Sequence, residues 1–95
     1  MHYLWDPSKQ RSNLKKHGIE FADAALALED ENALTVIDEE SHGELRFLTL
    51  CIGPSPNVLM VVHTEEIEGS ITIISARLAE PPERRQYYEG INYGY

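Results

Sequence analysis

Positive charge is scarce in this chain. Its 95 residues hold eight Lys and Arg against sixteen Asp and Glu, a formal net charge of -8. Such an acidic surface argues against tight, non-specific binding of nucleic acid or anionic membrane by the protein as a whole. It still leaves room for a local basic site, and it suits a basic partner protein. Cysteine is scarcer: Cys51 stands alone. No intrachain disulfide can form, which points to a reducing compartment. Cys51 lies within an apolar run without a second ligand at metal-binding spacing, and reads as a buried structural residue. No apolar run approaches the ~20 residues that span a bilayer, and the opening MHYLWDPSKQ has no signal-like core. A cytoplasmic protein with no membrane contact is expected. Internal repeats, linkers and low-complexity segments are absent. So are HExxH, paired Cys-x-x-Cys, a phosphate-loop pattern and calcium-loop spacing. Metal and nucleotide enzymes are set aside on that ground, and no cofactor is expected.

What is present reads as one domain over residues 1–95, with about 90–95 a loose tail. MHYLW suits a short strand with Tyr3 and Trp5 on one face. Asp6 is an N-cap and Pro7 a first helical residue, so a helix runs to about His17 and ends at Gly18. Leu14 is expected to point into the core. Phe21, Ala24, Ala25 and Leu28 recur at i, i+3, i+4 and i+7, one apolar stripe of a second helix. ALTVID, RFLTLCI, VLMVVHT and SITIISAR read as strands joined by short connections, with GPSPN and EEIEG as turns and EESHGE as a loop. Pro81 and Glu83 start a closing helix through ERRQYYE. The expectation is therefore an α+β fold: an N-terminal strand, two helices, an antiparallel four-strand meander and a C-terminal helix. The helices should gather over one side of the sheet.

The few positive charges are unevenly placed. Lys9, Arg11, Lys15 and Lys16 lie in the ten residues KQRSNLKKHG, and Arg77, Arg84 and Arg85 lie within nine residues of one another. Arg46 stands between the two groups. Lys9, Asn13, Lys16 and His17 fall at i, i+4, i+7 and i+8, a single helical face. The bland reading of that face is a solvated helix surface. The sharper one is an anion site, formed if the fold brings the two basic segments together in a groove shared with Arg46 and Arg77. Such a site suits RNA cleavage, in which a ribose 2′-hydroxyl attacks its own phosphate. That reaction needs a positioned phosphate, cations where charge develops and groups that move protons. Arginine forks match phosphate oxygens, and histidine transfers protons near neutral pH. Ser75 suits a hydrogen bond to phosphate rather than a nucleophile. His63, at the end of an apolar strand, reads as structural. His2 and His42, in terminal and loop positions, have no role.

WDPSKQRSNLKKHGIEF followed by SITIISARLAEPPERRQYYE resembles the BrnT family of type II toxin-antitoxin ribonuclease toxins. The first stretch is similar to the family's W-D-x-x-K-x-x-x-N-x-x-K-H-G-[VI]-x-F opening. The second resembles its I-I-S-A-R strand and the following helix with E-R-R and a tyrosine. The resemblance covers nearly the whole chain and implies a RelE-like fold and metal-independent endoribonuclease activity that blocks translation. It also implies a cognate BrnA-type ribbon-helix-helix antitoxin, through which alone the pair would contact operator DNA. The family's motif positions fall on Lys9, Asn13, Lys16, His17, Arg46, Ser75, Arg77 and Arg84. Arg46, Arg77, His17 and Ser75 are the candidate catalytic residues; Lys9, Asn13, Lys16 and Arg84 are the candidate RNA contacts. Thr72, Leu78, Pro81 and Pro82 stand where the family carries positive charge, and Glu80 where it carries a threonine cap. The alternative is a catalytically weak homologue that mainly binds the antitoxin and modulates operon repression.

Overall fold

The computed structural model describes residues 1–41 and 43–92, with the backbone alone at Ile91 and Asn92. His42 and the last three residues of the expected tail lie outside the described residues. Eight elements follow one another: β1 (His2–Leu4), α1 (Pro7–His17), α2 (Phe21–Ala27), β2 (Leu34–Ile37), β3 (Arg46–Ile52), β4 (Val58–Thr64), β5 (Ser70–Leu78) and α3 (Pro81–Asn92). The caps of α1 form as read. The Asp6 carboxylate accepts from the Ser8 amide at 2.8 Å, and Gly18 adopts the left-handed φ of 72° that ends the helix. Where a loose tail was expected from about residue 90, α3 continues through Gly90 to Asn92. Gly90 is buried with Leu34 against it, so close that an added Cβ would meet Leu34 Cδ1 at 3.1 Å.

β2, β3, β4 and β5 pair antiparallel in succession. The expectation of a purely antiparallel sheet is corrected at its other edge. β1 joins parallel to β5, through His2 with Ser70, Tyr3 with Ile71 and Leu4 with Thr72. The sheet is thus mixed and five-stranded, in the order β1-β5-β4-β3-β2.

The helices are also not gathered on one side. β4 carries apolar residues at successive positions, as strands covered on both faces do. Leu59 and Val61 pack with Phe21, Ala24 and Ala27 of α2, with Cys51 and with Ile73, and Trp5 and Tyr3 close that cluster. Val58 and Met60 look the other way, to Leu50, Ala79 and Tyr87 of the α3 side. Leu14 is exposed rather than buried, because Asn13 takes the position on α1 that faces the sheet.

Among the described residues every buried side-chain nitrogen and oxygen has a hydrogen-bond partner. Asp30, after α2, accepts from the Ile52 amide at 2.9 Å and from the Tyr87 hydroxyl, tying α3 to the far end of β3. Burial alone would raise its pKa, but these bonds and one from the Asn32 amide hold it below the ordinary value. Cys51 is fully buried, and burial, aided by the Asp30 charge, pushes its thiol up to about 12. It is inert packing, as expected.

His63 is structural. Its Nδ1 lies 2.7 Å from the Thr64 carbonyl oxygen and its Nε2 2.7 Å from Thr49 Oγ1, which is 2.8 Å from Thr35 Oγ1. A carbonyl only accepts, so Nδ1 donates, Nε2 accepts from Thr49, and Thr49 accepts from Thr35. Burial holds the ring's pKa below 6.5, against the opposing pull of the Thr64 bond. The unfolded ring therefore binds a proton more readily than the folded one. Its contribution to stability is complete above pH 6.5 and is lost as pH falls below that value. The urea midpoint should drop between about pH 7.5 and 5.5, and His63→Gln should flatten that drop. An unchanged pH slope in the variant would contradict the assignment.

Candidate functional site

The site is built around one side chain of α1. Asn13 is 6% exposed. Its Nδ2 donates to the Ala76 carbonyl at 2.9 Å and to the Ile19 carbonyl at 3.1 Å, and its Oδ1 accepts from the Ala76 amide at 3.1 Å. β1 pairs with β5 only over Ser70 to Thr72. Beyond that point the carboxamide, a side-chain copy of a peptide group, satisfies both backbone groups of Ala76 as a neighbouring strand would. Asn13, expected among the RNA contacts, thus also bonds within the fold and holds α1 against β5.

Docked in this way, α1 sets Lys9, Ser12, Asn13, Lys16 and His17 against Ile74 and Ser75, and together they line a shallow depression of ≈ 190 Å³. Five predicted site residues are thus brought together: Lys9, Asn13, Lys16, His17 and Ser75. The Lys9, Lys16 and His17 side chains are exposed, open to a ligand.

A β-bulge decides where the rest of β5 points. Val62 pairs with Ser75 but His63 pairs with Ile73, so Ile74 is an extra residue. Ile73 and Ala76 consequently share the face toward α2, although they are three residues apart. Ser75 and Arg77 are turned to the opposite face, where Arg77 lies beside Met60. Arg46 is on that face too, since its partner Thr64 is four residues from Met60 on β4. The two arginines share a sheet face, roughly 13 Å apart along the strands and roughly 10 Å across them.

Arg77 is already occupied. Its guanidinium makes a fork to Glu83, with Nη1 at 2.9 Å from Oε1 and Nη2 at 3.0 Å from Oε2. Nη1 also donates to the Leu78 carbonyl at 3.1 Å. Glu83 further accepts from the Glu80 amide at 2.7 Å, the back-bond of a helix-capping box at the start of α3. The hydrogen bond to Arg77 is the main reason that the Glu83 carboxyl sits below its ordinary pKa, and the same bond raises that of Arg77.

Arg84 does not join the α1 depression. Its Nη1 donates to the Ala79 carbonyl at 3.1 Å, and it lines a separate shallow pocket on α3 with Arg85 and Tyr88. Arg46 does not line the depression either. The expected single groove is therefore a chain of groups: α1 cations, then Ser75 at the strand edge, then Arg77 and Arg46 on the sheet face. Residue reading missed Ser12 and Ile74 as lining residues and Glu83 as the partner of Arg77. The doubled isoleucine in TIISAR, which breaks the alternation of the strand, was the available sign of the bulge.

Two comparisons bear on this arrangement. The family model of the BrnT ribonuclease toxin of type II toxin-antitoxin systems matches residues 5–83. The crystal structure of the Brucella abortus ribonuclease toxin BrnT superposes with a TM-score of 0.64 at 22% identity, covering 84% of this chain and 99% of that one. At that identity the superposition shows a shared fold. No curated protein sequence matches the chain.

Removing the Asn13 carboxamide would strand three backbone groups, two of them on buried Ala76. Asn13→Ala should cost about 2–4 kcal/mol, at about 1–3 kcal/mol for each polar group left without a partner and with partial rescue by water. Urea unfolding measures this; a loss within about 0.5 kcal/mol, typical of surface changes, would contradict the clamp.

Proposed function

Because the chain belongs to the BrnT family of ribonuclease toxins of type II toxin-antitoxin systems, we propose that it is an endoribonuclease that blocks translation by cleaving RNA and is neutralised by a cognate antitoxin. The observation that carries this reading is the gathering of Lys9, Lys16, His17 and Ser75 at the bulged edge of β5, with Arg77 and Arg46 on the adjoining sheet face.

The reaction is transfer within the RNA strand. The 2′-oxygen attacks the neighbouring phosphorus, the bond from phosphorus to the 5′-oxygen breaks, and a 2′,3′-cyclic phosphate and a 5′-hydroxyl result. One proton leaves the 2′-hydroxyl and one reaches the departing oxygen. In this reading His17 moves protons, and Lys9 and Lys16 hold phosphate. The Ser75 hydroxyl donates a hydrogen bond to a phosphate oxygen. Arg77 stabilises the charge that develops, once a phosphate takes over the two acceptor positions that Glu83 fills in the free protein. Arg46 holds a flanking phosphate.

A second reading keeps the antitoxin and drops the catalysis: a weak enzyme that mainly tunes operon repression. The engagement of Arg77 by Glu83 favours it, as do the uncharged residues at Thr72, Leu78, Pro81 and Pro82. Under either reading the partner is a BrnA-type ribbon-helix-helix protein that makes the DNA contacts, because a net charge of -8 opposes direct binding to operator phosphates.

Induced expression without the antitoxin should arrest growth, and the purified protein should cleave RNA in the presence of EDTA. Arg77→Ala should lower that cleavage at least about tenfold, the effect of ~1.4 kcal/mol at the transition state, with the fold intact. Intact RNA with the wild-type protein would favour the second reading; unchanged cleavage by the folded variant would remove Arg77 from the mechanism.

A further inference from the structure

α3 covers only part of the sheet face it packs on. Tyr87 and Ala79 close over Leu50, Val58 and Met60. Beside them Leu34, Val36, Leu48 and Leu50 floor an open groove of ≈ 460 Å³, walled by Gln86, Glu89 and Gly90 of α3. Register makes the floor apolar. Leu34 stands opposite Leu50, Val36 opposite Leu48, and Leu50 opposite Met60, so all five share one face. β2 is the last strand of the sheet, with no neighbour on its outer side among the described residues. Val36 on this strand is 61% exposed. An apolar groove beside an unpaired strand edge is a surface that folded proteins ordinarily cover.

Its rim is acidic. Glu89 stands on the wall, and Asp38, Glu39 and Glu40 follow β2 directly. A partner segment that carries lysine or arginine beside its apolar residues complements both features. A second copy of this chain does not, since two bodies of net charge -8 repel. The groove also adjoins the proposed cleavage site: Arg77 pairs with the groove residue Met60, and Arg46 continues the row of Leu50 and Leu48 along β3.

We propose that this groove and the β2 edge are the seat of the antitoxin. The inference rests on the toxin-antitoxin reading above. The occupant is an amphipathic segment with apolar side chains against Leu34, Val36 and Leu48 and basic side chains toward Glu89 and residues 38–40. Seated there it lies beside Arg46 and Arg77, so docking and neutralisation are one event.

The test uses the full chain, with the ribbon-helix-helix protein encoded beside its gene as the probe, in calorimetric titrations. Val36→Lys puts a charge on the groove floor at an exposed position. It should weaken binding at least about tenfold, as loss of one central anchor does. Leu26→Lys, on α2 at a position 58% exposed, should leave binding unchanged. Circular dichroism and melting temperature confirm that both variants fold. Undiminished binding by Val36→Lys, or an equal loss in Leu26→Lys, overturns the surface. A wild-type dimer that Val36→Lys dissociates assigns the groove to a second copy and overturns it too. A wild-type chain that does not bind the probe at all sinks the toxin-antitoxin reading, and this surface with it.

Discussion

The pairing of the Asn13 carboxamide with both backbone groups of Ala76 is the contact on which the arrangement turns. It joins residues 63 apart in sequence and ends the need for a strand beside the C-terminal half of β5. A β1 long enough to do that work would have covered the edge and left no place for α1. With only Ser70 to Thr72 paired to β1, a helix seals the edge instead, and it brings its charged face along. Lys9 and Lys16 of α1, with His17, thereby reach the sheet at Ser75.

The bulge at Ile74 is the second constraint. A regular β5 would place Ile71, Ile73, Ser75 and Arg77 on one face, and the arginine would be driven into the cluster around Phe21. One inserted residue keeps Ile73 and Ala76 in the core while turning Ser75 and Arg77 outward to the face that holds Arg46. There Glu83 meets Arg77 as a fork, and in the same position caps α3. The carboxylate therefore orders the guanidinium in the free protein. Its worth as a stabilising ion pair is modest, because the pair is partly exposed to water.

Local signals in the sequence carried most of the elements. Capping chemistry marked both ends of α1, and the strand limits of β3 and β4 follow their apolar runs residue for residue. What failed were properties that depend on distant partners. The helices lie on both faces because β4 is apolar on both, a pattern that periodicity alone reads as one buried run. Asn13 sits at the spacing of a ligand contact, and only the edge of β5, 63 residues away, shows that its amide also clamps the fold. Arg77 and Glu83 are six residues apart across a strand-to-helix turn, a distance at which neither helical nor strand spacing announces a pair.

If RNA binds where we propose, its contacts begin at the edge of β5 and along α1. Amide chemical-shift mapping tests it most directly, with isotope-labelled protein and a short single-stranded RNA whose 2′-hydroxyls are replaced by hydrogen so that it binds without being cut. The largest shifts should fall on Lys9, Ser12, Lys16, His17, Ile74 and Ser75, fading at high salt as phosphate contacts do. Shifts confined to Arg84, Arg85 and Tyr88 on α3, or no shifts at low salt, would contradict it.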